Sequence, residues 1–170
     1  MANSKNLFAW ASISEKGTKN GKKGDQNGKE VKVGDYYNFG QTTCIRFRNV
    51  ADGRKCGKIA KQLANDERFG YGQNDRESSF NAFRKIGWNI ERIGELKNTY
   101  NTDCSMLAVL CINLTYGKEV LSADTYTGNL VTRCRKKKDL FKILSLTKAK
   151  KEWHKGDMPI KEGSHVIINV

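Results

Sequence analysis

The sequence predicts a fold of mixed helix and strand, and three observations carry that expectation. Residues 42 to 50, TTCIRFRNV, alternate polar and apolar side chains, which is the period of a strand. Two longer segments, after Asp52 and after Asp103, repeat their apolar residues at three and four, the period of a helix. The chain closes on two strand-like pieces, DMPI and SHVIINV, joined by the turn KEGS.

Taken in order, residues 14 to 35 (SEKGTKNGKKGDQNGKEVKVGD) are dominated by glycine, lysine and asparagine and read as loop. The loop lacks Walker spacing, and Gly28-Lys29 is followed by Glu30 rather than Ser or Thr, so no nucleotide site is expected. In the strand that follows, Cys44, Arg46 and Arg48 oppose Ile45 and Phe47. The first helix takes Asp52 as N-cap, buries Cys56, Ile59, Ala60, Leu63 and Ala64, and ends by FGYG at 69 to 72. A second, shorter helix is expected from Asp75 to Ile86, with Phe80 and Phe83 on one face. Residues 87 to 101 show no deciding pattern. The helix after Asp103 is the clearest: a carboxylate cap, a stripe of Leu107, Leu110, Cys111 and Leu114, and Gly117 as the stop. Residues 127 to 140 hold another short helix, and FKILSL at 141 to 146 fits either a strand or a helix.

A chain of 170 residues with 38% apolar content suits one domain, or one domain with an extended N-terminal arm. Lys and Arg number 31 against 18 Asp and Glu, a net charge of +13, which implies an anionic partner: nucleic acid, a cell wall or a membrane surface. No apolar run approaches the ~20 residues of a membrane span. The start, MANSKNLFAWASISEKG, has too short an apolar core for a secretory signal. The expectation is synthesis in a cytosol and, if the protein works outside a cell, release by some other agent. Five cysteines, an odd number, fit reduced thiols better than a disulfide framework.

One thiol stands out. In TDCSMLAVLC, Cys111 lies inside the apolar run as a small hydrophobe, whereas Cys104 opens the helix. Unpaired amides and the helix dipole there favour thiolate, the nucleophilic form, and the same amides can hold an oxyanion. Such a nucleophile needs a base, and the chain has two histidines. His165 begins the apolar strand SHVIINV and can be held rigidly, whereas His154 lies in the basic turn KEWHKGD, so His165 is preferred. On these residues alone, a structural cysteine and an unrelated surface histidine carry comparable weight.

Further motifs stand in order along the chain: ASISEKG at 11, GDQNGKEV at 24, CIRF at 44, KIAKQLA at 58, GYGQNDR at 70, DCSML at 103, and KGDMPI with SHVIINV from 155. Together they resemble the NlpC/P60 family of papain-like cysteine peptidases, and within it the bacteriophage endolysins. The resemblance implies an α+β, papain-like fold: N-terminal helices and the nucleophile's helix packed on a small antiparallel sheet that carries the histidine. It implies one catalytic domain over residues 1–170, with the loop-rich residues 1–50 lining the groove. The activity implied is peptidoglycan hydrolysis, with Cys104 attacking a wall amide, His165 moving the proton, and water clearing a thioacyl intermediate. Asp103 caps the helix, and the amides of Cys104 and Ser105 line the oxyanion site. Asp25, Gln26, Glu30, Tyr71, Gln73 and Arg76 are candidates for the substrate groove, with Asp103 and Ser105 beside them. No metal and no cofactor is expected. The implied partners are peptidoglycan and anionic wall polymers, met by a monomer after release from the host cell.

Two features depart from that family. Met106 stands where a small residue is usual and is expected to narrow the site. The family also places a third polar residue on the strand after the histidine, to orient the imidazole, and the sequence runs only to Val170. Three accounts remain open: a parent chain that continues into a wall-binding module, an earlier acid (Glu30 or Asp25) in the orienting role, or Asn169 on the histidine strand. Two other functions compete. RCRKKK at 133 to 138 and CIRFRN suggest nucleic-acid binding, though no recognised motif accompanies them. A zinc amidase would need clustered ligands, and no C-x-x-C or H-E-x-x-H pair exists. The bond cleaved, in the peptide or at its junction with the sugar, is left undecided by the residues.

Overall fold

The computed structural model describes residues 6–170. Residues 1–5, which belong to the one-domain expectation and to the reading of the N-terminal start, lie outside the described residues. In chain order the strands are β1 (Leu7–Ala11), β2 (Val31–Asp35), β3 (Thr43–Phe47), β4 (Phe69–Tyr71), β5 (Tyr100–Thr102), β6 (Phe141–Ser145), β7 (Met158–Lys161), β8 (His165–Val166) and β9 (Ile168–Asn169). The helices are α1 (Val50–Ala64), α2 (Glu77–Lys85), α3 (Cys104–Tyr116), α4 (Leu130–Lys136) and α5 (Leu146–Ala149), with a 3-10 turn at Ile90–Glu95.

The architecture is α+β. One antiparallel sheet runs β6-β3-β7-β8, a second runs β2-β1-β9, and β4 and β5 form a short parallel pair. α3 runs through the middle of the core. Every residue from Cys104 to Thr115 is buried, so the helix is covered on all sides rather than along the single expected stripe. Asn113 is a fully buried side-chain amide of this helix. Its Nδ2 donates to the Leu121 carbonyl at 2.8 Å, and its Oδ1 accepts from the amides of Val120 and Leu121, both at 2.9 Å. Gly117 stops the helix with φ of 64°, a conformation that favours glycine. Met106 is fully buried in the core, so it does not narrow the cleft.

α1 packs beside α3. It begins two residues before the expected cap, because Asn49 accepts the Ala51 amide at 2.8 Å and leaves Asp52 in the first turn, where a negative charge favours the dipole. Gly53 permits a close approach: a Cβ there would meet the Lys155 carbonyl oxygen at 2.5 Å. The CIRF and KGD motifs meet at this contact. Arg46 Nε donates to Asp157 Oδ1 at 2.8 Å and its Nη2 to Oδ2 at 2.7 Å, a two-point bond that is almost wholly buried. It ties β3 to the start of β7, and so fixes the β7–β8 hairpin that carries His165. A small second cluster of Phe8, Trp10 and Ile167, covered by Tyr36, Tyr37, Phe39 and Trp153, lies on the other face of β1.

Candidate active site

Cys104 is the first residue of α3, as its capping residue dictates. Asp103 is extended, and its Oδ1 accepts from the Met106 amide at 2.6 Å and from the Ser105 hydroxyl at 2.8 Å. Its other oxygen lies 3.3 Å from Arg76 Nε, at ion-pair distance but without hydrogen-bond direction. Arg76 also donates through Nη2 to the carbonyls of Ala123 (2.9 Å) and Thr125. One guanidinium therefore joins the start of α2, the cap of α3 and the loop after residue 122.

The Cys104 sulfur lies 4.0 Å from the Ser164 carbonyl oxygen, and the backbone amides of Val166, Ser105 and Cys104 itself face it. The residues on both sides of His165 thus border the sulfur. Cys104 is 7% exposed, whereas Cys44, Cys56, Cys111 and Cys134 are sealed at 0%, and all five thiols are free. It opens on a cleft of about 690 Å³ walled by Lys19, Gln73, Arg76, Tyr126 and the Gly163–Ser164 turn.

His165 is half-buried on β8. Its Nε2 hydrogen-bonds the Tyr37 hydroxyl at 2.7 Å, and Phe39 packs edge-on with its centroid 5.0 Å from the imidazole. Burial pushes the imidazole down to about 4, a fall that the Asp103 carboxylate opposes. Burial likewise pushes the Cys104 thiol up to about 12, and the Asp103 charge adds to the rise against the three facing amides. The helix terminus was expected to yield thiolate. Desolvation outweighs it and opposes thiolate formation.

The other expected site residues fall into two groups. Gln73 lines the cleft and donates through Nε2 to the Tyr71 hydroxyl at 3.0 Å; the Tyr71 ring itself is core, 5% exposed. The GDQNGKEV segment turns inward instead. Asp25 accepts from the amides of Asn27 and Lys29 with one oxygen, and from those of Glu30 and Val31 with the other. Glu30, fully buried, accepts from the amides of Gln26 and Tyr71, and Gln26 Nε2 donates to the Lys23 carbonyl. These three side chains build their own loop and hold β4 to it. None of them meets His165, nor does Asn169: its strand pairs with β1, and its Nδ2 is buried without a partner. The group on His165 is Tyr37, which sequence reasoning did not single out. The available signal was the aromatic run in DYYNF at 35 to 39.

A family model described as an endolysin-like domain matches residues 8–170. The chain belongs to the endolysin-like domain family. No curated protein and no solved structure matches it. Membership in the endolysin-like family points to a hydrolase of the bacteriophage kind that acts on the cell wall, with peptidoglycan as substrate. Among the described residues, no helix is long and apolar enough to cross a membrane, and no group of three or more His, Cys, Asp or Glu is placed to hold a metal ion. Of the arginines behind the nucleic-acid alternative, Arg46 bonds Asp157, Arg48 the Lys138 carbonyl and Arg133 Asp124 at 2.6 Å, whereas Arg135 is exposed.

Proposed function

We propose that this endolysin-like domain is a cysteine hydrolase of the NlpC/P60 type, one catalytic domain over residues 1–170, that cleaves an amide bond of peptidoglycan through Cys104. The observation that carries the proposal is the bracketing of the cleft-facing Cys104 sulfur by Ser164 and Val166, on either side of a histidine fixed by Tyr37.

Tyr37 occupies Nε2, so the nitrogen free to serve as base is Nδ1. In the working tautomer Nε2–H donates to the phenolic oxygen and Nδ1 is unprotonated. As the sulfur attacks the carbonyl carbon, its proton passes to Nδ1, and the imidazolium is held by Tyr37 and by the field of Asp103. The amides of Cys104 and Ser105, now turned to the sulfur, take the oxyanion. The C–N bond breaks, the imidazolium protonates the leaving amine, and a thioester remains on Cys104. Water, deprotonated by Nδ1, then releases the acid and restores the thiol. No metal or cofactor enters these steps. The net charge of +13 draws the protein to anionic wall polymers by long-range attraction.

The test is digestion of purified peptidoglycan with product mass spectrometry, before and after alkylation of the native protein. The expected result is one new amino group per cut, and loss of cleavage as Cys104 alone is labelled. Cleavage that continues with Cys104 fully alkylated would overturn the proposal.

A further inference from the structure

We infer that the exposed face of α1, with the hollow beside it, is a docking surface for the anionic phospholipid headgroups of a bilayer. The inference stands apart from the hydrolase proposal, because this hollow shares no lining residue with the Cys104 cleft.

The two faces of α1 differ. Cys56, Ile59, Ala60 and Leu63 are buried, whereas Arg54, Lys58 and Lys61 stand exposed at i, i+4 and i+7. That spacing sets three cations in one stripe about 10 Å long. All three line a hollow of about 470 Å³. Its floor is apolar. Leu7 and Val170, both half-buried, meet there, and the Val170 amide donates to the Leu7 carbonyl at 2.9 Å. Gly57 lets the helix lie close on this pair of strands, since a Cβ there would come within 2.9 Å of the Asn169 carbonyl oxygen.

The cations are available to a ligand. No Asp or Glu side chain lines the hollow, and Asp35, opposite Leu7 in the β1–β2 register, is not part of its wall. Lys155, also at the rim, donates to the Val170 carbonyl. Among the described residues, no acceptor is bonded to the side chain of Arg54, Lys58 or Lys61. The basic hollow beside α4 differs, because its Arg133 is held by Asp124 at 2.6 Å. Two properties together choose the occupant. Unpaired cations favour phosphate. An apolar floor walled by lysine stems favours the glycerol and first methylenes that an acylated phosphate carries. A wholly hydrophilic polyanion, whether wall polymer or nucleic acid, would meet the cations and leave the floor uncovered. The helix would lie on the bilayer surface without entering it, drawn by the negative charge of the leaflet.

The experiment sediments the whole chain with vesicles of phosphatidylglycerol and phosphatidylcholine in equal parts, at about 0.1 M salt. Vesicles of phosphatidylcholine alone and a soluble poly(glycerol phosphate), matched in phosphate, are the other two arms. The expected result is saturable binding to the mixed vesicles, at least tenfold tighter than to either alternative. Joint replacement Arg54→Gln, Lys58→Gln and Lys61→Gln should weaken it about a hundredfold. Joint replacement Arg135→Gln, Lys136→Gln and Lys138→Gln removes the same charge from exposed side chains elsewhere and should keep affinity within about threefold. Circular dichroism checks that both variants fold. Three results would overturn the docking surface: binding no tighter than to phosphatidylcholine, equal losses in the two triple variants, or the polymer bound as tightly as the mixed vesicles. Equal losses would mean that net charge alone attracts the protein, and tight polymer binding that the apolar floor plays no part.

Discussion

The proposed nucleophile and its proposed base come from two differently built regions. Cys104 belongs to a helix buried on every side, and its position is set by neighbours in sequence: Asp103 caps, Ser105 and Met106 receive the cap, and Gly117 stops the helix. His165 sits on a two-residue strand at a sheet edge, and its position is set by residues far along the chain. Tyr37 lies 128 positions away, Phe39 packs edge-on against the imidazole, and the Arg46–Asp157 pair, 111 positions apart, anchors its hairpin. The contrast teaches that the sulfur side of the site is locally determined, whereas the imidazole side is assembled by tertiary structure. Substitutions on the imidazole side should therefore divide into those that remove chemistry and those that loosen the frame.

The largest expected effect is on the chemistry. His165→Ala should lower kcat/KM by about 10³ to 10⁴ while leaving the protein folded, since the ring makes few of the core contacts. A loss below tenfold on purified walls would mean that another group moves the proton. Next comes the frame. Asp157→Ala leaves the Arg46 guanidinium buried without its partner and should cost about 3–5 kcal/mol in denaturant unfolding. A cost under about 1 kcal/mol would mean that the hairpin is held by packing alone.

A smaller effect is expected from Tyr37→Phe, which keeps the ring in its aromatic cluster and removes only the hydroxyl on Nε2. We expect kcat to fall about tenfold with KM unchanged. An equal rise in KM would show that the hydroxyl binds substrate instead of positioning the base. The mildest test is pH. With imidazole at about 4 and thiol at about 12, the pair keeps one transferable proton across that span, so kcat/KM should rise through about pH 4 and stay level to at least pH 9. The same burial affects stability. The unfolded histidine, at its ordinary 6.5, binds a proton before the folded one does. Stability should therefore be full above about 6.5 and decline as pH falls to about 4, a decline that His165→Gln should flatten.

The same contrast decides what could be read from the sequence. The α3 cap, its stop and the place of Cys104 as the helix's first residue were legible because capping and helix period act within four residues. The mixed α+β class, the 44–47 strand and the closing hairpin were legible for the same reason. Asn169 illustrates what was not. Counting alternation from His165 puts it on the histidine's face, but the chain changes sheets at Ile167: β8 pairs with β7 and β9 with β1. Asp25 and Glu30 looked like substrate contacts because they are acids in a glycine-rich loop. Backbone amides of that loop and of Tyr71 claim them instead. Tyr37 is marked only as one member of an aromatic run, and tertiary structure alone brings its hydroxyl to the imidazole. Burial of the thiol, which reverses the shift expected at a helix end, is likewise a property of the packed molecule.

The most direct measurement compares the intact chain with Cys104→Ala on purified peptidoglycan, scoring released amino groups after circular dichroism has shown equal folding. The account predicts release by the first and at least a 10⁴-fold lower rate from the second. Release at comparable rates by both would contradict it.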